Sequence, residues 1–223
     1  DFAVTNLKAK TAAIYVDNSS DYAKGLQKFF VDEFGAKGGQ VVSEEAYLQK
    51  DTDFKAALTK IKAANPDIIF VPGYYQEVGM IVKQARELGI TQPIVGGDGW
   101  DSAKLIEIAG ADNLNNCYFG NHYSADDTSD EVKTFVANYQ KAYNVKPDAP
   151  AALAYDSVMI LAKAIKDANS LDADKVKDAL AKISNLKAVT GTITYDENHD
   201  PVKSAVILTF KEGKQSFVTK IQP

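Results

Sequence analysis

The chain has 223 residues, is 45% hydrophobic and carries a formal net charge of −5 from 25 Lys and Arg against 30 Asp and Glu. That is enough apolar mass for one large domain or two small lobes, and its scattered charges, with no basic block or stripe, argue against nucleic acid as a partner. The longest apolar runs fall far short of a membrane span, the single cysteine Cys117 excludes an internal disulfide, and the single arginine Arg86 makes guanidinium clamping of phosphates improbable. No charged-then-apolar leader opens the sequence; a mature exported protein looks the same, so the compartment stays open.

Asp1 to Lys10 reads as the last turns of a helix and a connection, with no strand ahead of the first sheet element. Ala12 to Val16 is a buried strand, and Asp17-Asn18-Ser19-Ser20-Asp21 is a polar turn able to cap a helix opening near Tyr22. Leu26, Phe29, Phe30 and Phe34 give that helix a broad apolar face, and Gly38-Gly39 stops it. Gln40 to Tyr47 is the next strand; Thr52 or Asp53 caps a helix with Phe54, Ala57, Leu58 and Ile61 inward, ended by Asn65-Pro66. Ile68 to Val71 is an unbroken apolar run suited to a parallel strand covered on both faces. Val78, Ile81, Val82, Ala85 and Leu88 then share one helical face ended by Gly89, and Pro93 to Val95 is a further strand. Ser102 to Ala109 is a short helix and Asn116 to Gly120 a fifth strand. This alternation predicts an α/β fold built on a doubly wound parallel sheet of about five strands. Ligands bind beyond the carboxyl ends of such strands, which directs attention to Tyr74 and Tyr75 after one strand and to Asp98 and Trp100 after the next.

From Ser129 the pattern changes. Val132, Phe135, Val136, Tyr139 and Tyr143 make an amphipathic helix. Ala151 to Ala168 is apolar almost all round, which predicts burial between layers. Asp172 or Asp174 starts a third helix. The tail is β: Gly191 to Tyr195, then a hairpin of Val202 to Phe210 with Gln215 to Ile221. Other chemistry is weakly signalled. Gly97-x-Gly99 lacks the third glycine of a dinucleotide fingerprint. Cys117 lies inside an apolar strand, His122 and His199 are too isolated for a metal site, and Asp126-Asp127 suits a polar loop before a helix cap. No cofactor is expected, and no nucleophile with its base is found for an enzyme.

The order of DNSSDYAKGL, DTDFKAALTKIKAANPDIIFVPGYY, QEVGMIVKQARELG, VGGDGW, AYDSVMILAKAI and TGTITYDENHDPVKSAVILTF resembles the Leu/Ile/Val-type solute-binding proteins of ABC importers, from end to end of the chain. The resemblance implies a type I periplasmic-binding-protein-like fold, in which an aliphatic L-amino acid is captured between two lobes and passed to a membrane permease. It implies an extracytoplasmic place, periplasmic or anchored as a lipoprotein. Relative to that family, an N-terminal stretch of about one hundred residues, a typical domain's worth, is expected ahead of Asp1. Residues 1 to 124 are then the ligand-binding lobe, 125 to 190 helices returning to the other, largely missing lobe, and 191 to 223 a β segment crossing between lobes. The helices so stranded are expected to repack against another copy of the chain or against protein outside this sequence.

In the family the acid at the Asp98 turn pairs with the ligand's α-ammonium, which suits a carboxylate on the glycine-rich loop Gly96-Gly97-Asp98-Gly99. Tyr22 and Tyr74 match family positions that wall the ligand. Tyr75 suits wall or core, and Trp100 lines the cleft or braces the loop. Other readings are a receptor for a related small amide, or the sensing domain of a signalling receptor or transcription regulator, the last of which needs a DNA-binding headpiece and usually more arginine.

Overall fold

The computed structural model describes residues 1–222 and divides into two compact units. The first comprises Asp1–Gly120 with Ile207–Val218; the second comprises Asn121–Val206 with the residues from Thr219 onward.

In the first unit a short helix α1 (Phe2–Thr5) precedes β1 (Thr11–Asp17), α2 (Asp21–Ala36), β2 (Gln40–Tyr47), α3 (Lys55–Ala64), β3 (Ile68–Phe70), α4 (Tyr75–Glu87), β4 (Ile94–Gly96), α5 (Ala103–Ala109) and β5 (Cys117–Asn121). β1 pairs in parallel with β2 and β3, β3 with β4, and β4 with β5. The central strands β1, β3 and β4 are buried on both faces, as their apolar runs require, whereas the edge strand β2 stays partly exposed along its length. Ser20 caps α2 by accepting the Ala23 amide (3.3 Å), and Asn65 closes α3 in the left-handed region (φ 46°) before Pro66. Phe30 and Phe34 pack inward as expected, Phe30 stacking on Phe70 at 4.2 Å, but Phe29 faces solvent with the Lys28 ammonium above its ring.

The sheet is wider than the sequence suggests. It has seven strands in the order β10-β9-β5-β4-β3-β1-β2, because the tail strands β9 (Ala205–Lys211) and β10 (Lys214–Ile221) extend it beyond β5. The cause is the apolar face of β9: Val206, Leu208 and Phe210 are buried, Phe210 stacks on Phe119 at 5.4 Å, and the Thr209 hydroxyl donates to the Cys117 carbonyl. Glu212 and Gly213, both at positive φ (50° and 70°), supply the tight turn that matches strand twist. Residues 191 to 223 are therefore shared between the two units.

The lone arginine is a staple. Arg86 donates through Nη1 to the carbonyls of Ile90 (2.7 Å) and Gln92 (2.9 Å), through Nε to Asn113 and through Nη2 to Asn115, tying the end of α4 to the approaches of β4 and β5.

The second unit holds α6 (Asp130–Tyr143), α7 (Ala149–Ala168), α8 (Ala173–Leu180) and a three-stranded sheet of β6 (Leu186–Ala188), β7 (Gly191–Tyr195) and β8 (Pro201–Val202) in that order. Burial of α7 all round does not occur. Only Ala149, Ala152, Asp156, Ile160 and Ala164 are buried, while Tyr155, Val158, Met159 and Leu161 are exposed, Val158 by 66%. The buried stripe packs into two clusters, one with Val132 and Phe135 and one with Val176, Ile183 and Ile193, and these elements cover one side of the helix only. Asp156 is the unexpected member of that stripe: its two carboxylate oxygens accept the amides of Val189 (2.9 Å) and Thr190 (2.8 Å).

Candidate functional site at the carboxyl edge of the parallel sheet

Three neighbouring strands, β1, β3 and β4, end on the same edge because all are parallel, and each hands its chain to a loop of recognition residues. After β1, Asp17 Oδ1 accepts the backbone amide (2.9 Å) and hydroxyl (2.5 Å) of Ser19, which bends the chain so that Ser20 can cap α2 and Tyr22 falls in its first turn. After β3, Pro72 and Gly73 lead to Tyr74, which occupies the N-cap position of α4 with extended backbone; Tyr75, half-buried, opens the helix. After β4, Gly97 leads into one 3₁₀ turn, Asp98–Trp100.

These loops converge. Tyr22 Oη donates to Asp98 Oδ1 at 2.7 Å and accepts the Gly99 amide at 2.9 Å, so one phenol fixes both the carboxylate and the turn that carries it. The Tyr22 and Tyr74 rings stack with centroids 5.1 Å apart and planes 27° apart. Tyr74 is 38% exposed, and Tyr22 and Asp98 are half-buried, so the group presents aromatic faces beside a carboxylate to the outside of the sheet edge. Trp100 does not share that exposure. It is fully buried, donates Nε1–H to the Val71 carbonyl at 3.1 Å and stacks on Phe119, so it braces the turn from beneath.

The glycines around Asp98 are needed for close approach. A methyl group on Gly96 would run into the Trp100 indole, and one on Gly99 would lie 2.6 Å from the Gly73 carbonyl and 3.1 Å from the Tyr74 ring.

Electrostatics keep the phenols neutral. Burial first, and then the bond to the Asp98 carboxylate, push the Tyr22 hydroxyl well above its ordinary value, so Tyr22 remains a donor at any physiological pH. Burial, with Asp17 and then Glu77 adding negative charge, does the same to Tyr47. Burial also pushes the Cys117 thiol up to about 11, which leaves it a protonated hydrophobe.

The sequence missed a second tier under the site. Asp17 and Tyr47, register partners at the ends of β1 and β2, and Glu77 on α4 are all buried. Among the described residues Asp17 Oδ2 and Tyr47 Oη have no hydrogen-bond partner, whereas Glu77 Oε1 accepts the Lys50 amide at 2.9 Å. The available signal was an acid closing an apolar strand at Asp17. Asp126 and Asp127 serve a salt bridge to Lys146 (2.7 Å) and a turn to the Ser129 amide (2.8 Å). Among the described residues no group of three or more His, Cys, Asp or Glu is placed to hold a metal ion, and no helix is long and apolar enough to cross a membrane.

Comparison with known proteins agrees with this architecture. A Leu/Ile/Val-binding protein of Rhizobium johnstonii is 31% identical over 200 residues, which is 89% of this chain and 53% of that protein. A leucine-, isoleucine-, valine-, threonine- and alanine-binding protein of Pseudomonas aeruginosa is 28% identical over 203 residues, 89% of this chain and 52% of that one. The chain thus spans about half the length of the curated relatives it matches. Among solved structures, the leucine-binding protein LivK of Thermotoga maritima matches with a TM-score of 0.94 and 38% identity, over 100% of this chain and 63% of that one. The branched-chain amino acid substrate-binding protein LivJ of Streptococcus pneumoniae, solved with isoleucine, matches with a TM-score of 0.89 and 41% identity over the same shares. Residues 1–215 match the family model described as periplasmic binding protein, and with the parallel sheet and its loops in place the conclusion is direct: the chain belongs to the periplasmic binding protein family.

Proposed function

We propose that this chain carries the ammonium-binding side of an extracytoplasmic receptor that captures a branched-chain or similar aliphatic L-amino acid and delivers it to the permease of an ABC importer. The observation that carries the reading is the joining of Tyr22, Tyr74 and Asp98 at the carboxyl edge of the sheet. A carboxylate held by a neutral phenol keeps its negative charge directed and offers a charge-assisted bond to an alkylammonium. The stacked tyrosine faces beside it suit an aliphatic side chain, apolar over the ring and wet at its edge. LivJ of Streptococcus pneumoniae, 41% identical, holds isoleucine, which supports the same ligand class here. Anchoring as a lipoprotein belongs to this proposal. So does cover of the exposed α7 face by further protein, whether another copy of this chain or a second protein. Calorimetric titration of a longer chain that also supplies the other lobe, with L-leucine, L-isoleucine, L-valine, a small aliphatic amide and an acidic amino acid, tests it. Heat from the branched-chain amino acids and none from the acidic one is expected; binding of the acidic amino acid alone would sink the reading.

A further inference from the structure

The Tyr47 side chain is buried and packed on two sides. It stands at the last position of β2 and is 3% exposed, and its ring is held edge-on by Tyr15 (5.2 Å, 78°) and by Phe54 (5.6 Å, 87°). Edge-to-face contacts on two sides hold the ring and with it the hydroxyl at its tip. Among the described residues that hydroxyl has no hydrogen-bond partner, and it abuts Gly73. A methyl group on Gly73 would fall well inside contact distance of Tyr47 Oη, with the ring carbon Cζ at 3.3 Å and Val78 next at 3.7 Å.

Gly73 is the residue through which the position of the phenol can be felt. Tyr74 follows it directly and stacks on Tyr22, while the Gly73 carbonyl lies against Gly99, the residue after Asp98. The neighbouring turn is tied to the same place: the Ser19 hydroxyl, bonded to Asp17, accepts the Gln49 amide at 3.0 Å, and the Asn18 amide donates to the Tyr47 carbonyl at 2.9 Å. The end of β2 thus supports both the turn that delivers Tyr22 and the loop that delivers Tyr74.

We propose that Tyr47 is a positioning residue for the ligand site: its hydroxyl is a fixed post that sets the height of Gly73, and through Gly73 the seating of Tyr74 on Tyr22 and of the Asp98 turn. The consequence for binding rests on the amino-acid receptor reading above; the consequence for geometry does not.

The two are separated by comparing four proteins, namely the unaltered chain, Tyr47→Phe, Gly73→Ala and the double variant, by two readouts. The first readout needs no ligand: the amide signal of Gly99 and its exchange protection by NMR. Gly73→Ala drives the loop off the post, so the Gly99 signal moves and protection falls. The double variant removes the oxygen, leaves the ring carbon as the nearest atom, and recovers most of the original signal. The second readout is leucine affinity. Displacing the aromatic wall by a fraction of an ångström to an ångström is expected to cost Gly73→Ala at least about tenfold, with the double variant back to within about fivefold of the unaltered chain. Tyr47→Phe alone loses about threefold in affinity with no fall in unfolding midpoint, a combination that loss of a merely structural contact would not give. Failure of Gly73→Ala to fold, with folding restored in the double variant, supports the same mechanism. A double variant that behaves like Gly73→Ala in the Gly99 signal, or a Gly73→Ala protein with an unmoved signal, overturns it. Leucine binding absent from all four proteins, each carried in a longer chain that also supplies the other lobe, with the Gly99 pattern as expected, would overturn the receptor reading and leave the post in place.

Discussion

Replacing Tyr22 with phenylalanine deletes one oxygen and keeps the ring that stacks on Tyr74. The lost bonds are the 2.7 Å donation to the Asp98 carboxylate and the 2.9 Å acceptance from the Gly99 amide. Hydrogen bonds to charged groups contribute about 1.5–3 kcal/mol and neutral ones about 1 kcal/mol, but both groups are half-exposed and water recovers part of each. About 1.5 kcal/mol of lost stability is the net expectation. The chain supplies its own reporter, since Trp100 is the only tryptophan and is fully buried in the same unit. Urea unfolding followed by its fluorescence should show a lower midpoint at an unchanged slope, and a cycle with Asp98→Asn should return a coupling of about 1 kcal/mol. A Tyr22→Phe midpoint equivalent to less than about 0.3 kcal/mol, or a zero coupling, would refute the argument that this phenol clamps the turn.

Asp156→Ala strips two buried amides of their acceptor and removes the carboxylate whose charge favours protonation of the half-buried Lys203, an ammonium that burial pushes toward deprotonation. It should destabilise the second unit by about 3 kcal/mol, read as faster hydrogen exchange at Val189 and Thr190; unchanged exchange there would contradict it. Asp67 is held below its ordinary 3.8 chiefly by the Lys10 and Thr11 amides, which both donate to Oδ2. Because the folded value is depressed, its stabilisation is complete above pH 4 or so and fades as pH falls through the folded value, so the margin of the unaltered chain over Asp67→Asn should shrink in acid. A margin that is flat or grows between about pH 5 and pH 2 would be the wrong sign. Val158→Glu, on the exposed face of α7, should weaken the proposed cover of that face by another copy of the chain, read as a lower mass in light scattering; a mass unchanged from that of the unaltered chain would count against self-association through this face.

The alternation of β1 through β5 with their helices was legible because each strand is a short apolar run and each helix carries a 3.6-residue apolar stripe with a stop signal such as Gly89 or Asn65-Pro66. Asp98, Tyr22 and Tyr74 were legible as a group because parallel strands deliver their loops to one edge. What escaped the sequence was non-local. The joining of β9 to β5 depends on Phe210 finding Phe119, ninety-odd positions away, and no local pattern encodes that pairing. The exposure of Val158 and Met159 escaped because composition says what a helix could bury, whereas the neighbours decide what it does bury. Whether Trp100 walls the site or braces its loop depends on the Val71 carbonyl beside its indole nitrogen, a neighbour that no local pattern supplies. In the sequence Tyr47 is only the last residue of a strand, since the glycine it touches, Gly73, is brought against it by the folded chain alone.

The central claim is that Asp98 holds an alkylammonium. Its most direct measurement is a calorimetric titration of L-leucine into a longer chain that also supplies the other lobe and into its Asp98→Asn variant under one set of conditions, with Trp100 fluorescence confirming that both are folded. The exchange of carboxylate for amide keeps the shape and removes the charge, so affinity should fall by at least about a hundredfold, the equivalent of ~3 kcal/mol for breaking a desolvated pair. Equal affinity for leucine in the two folded proteins would show that the ammonium is held elsewhere and would contradict the account.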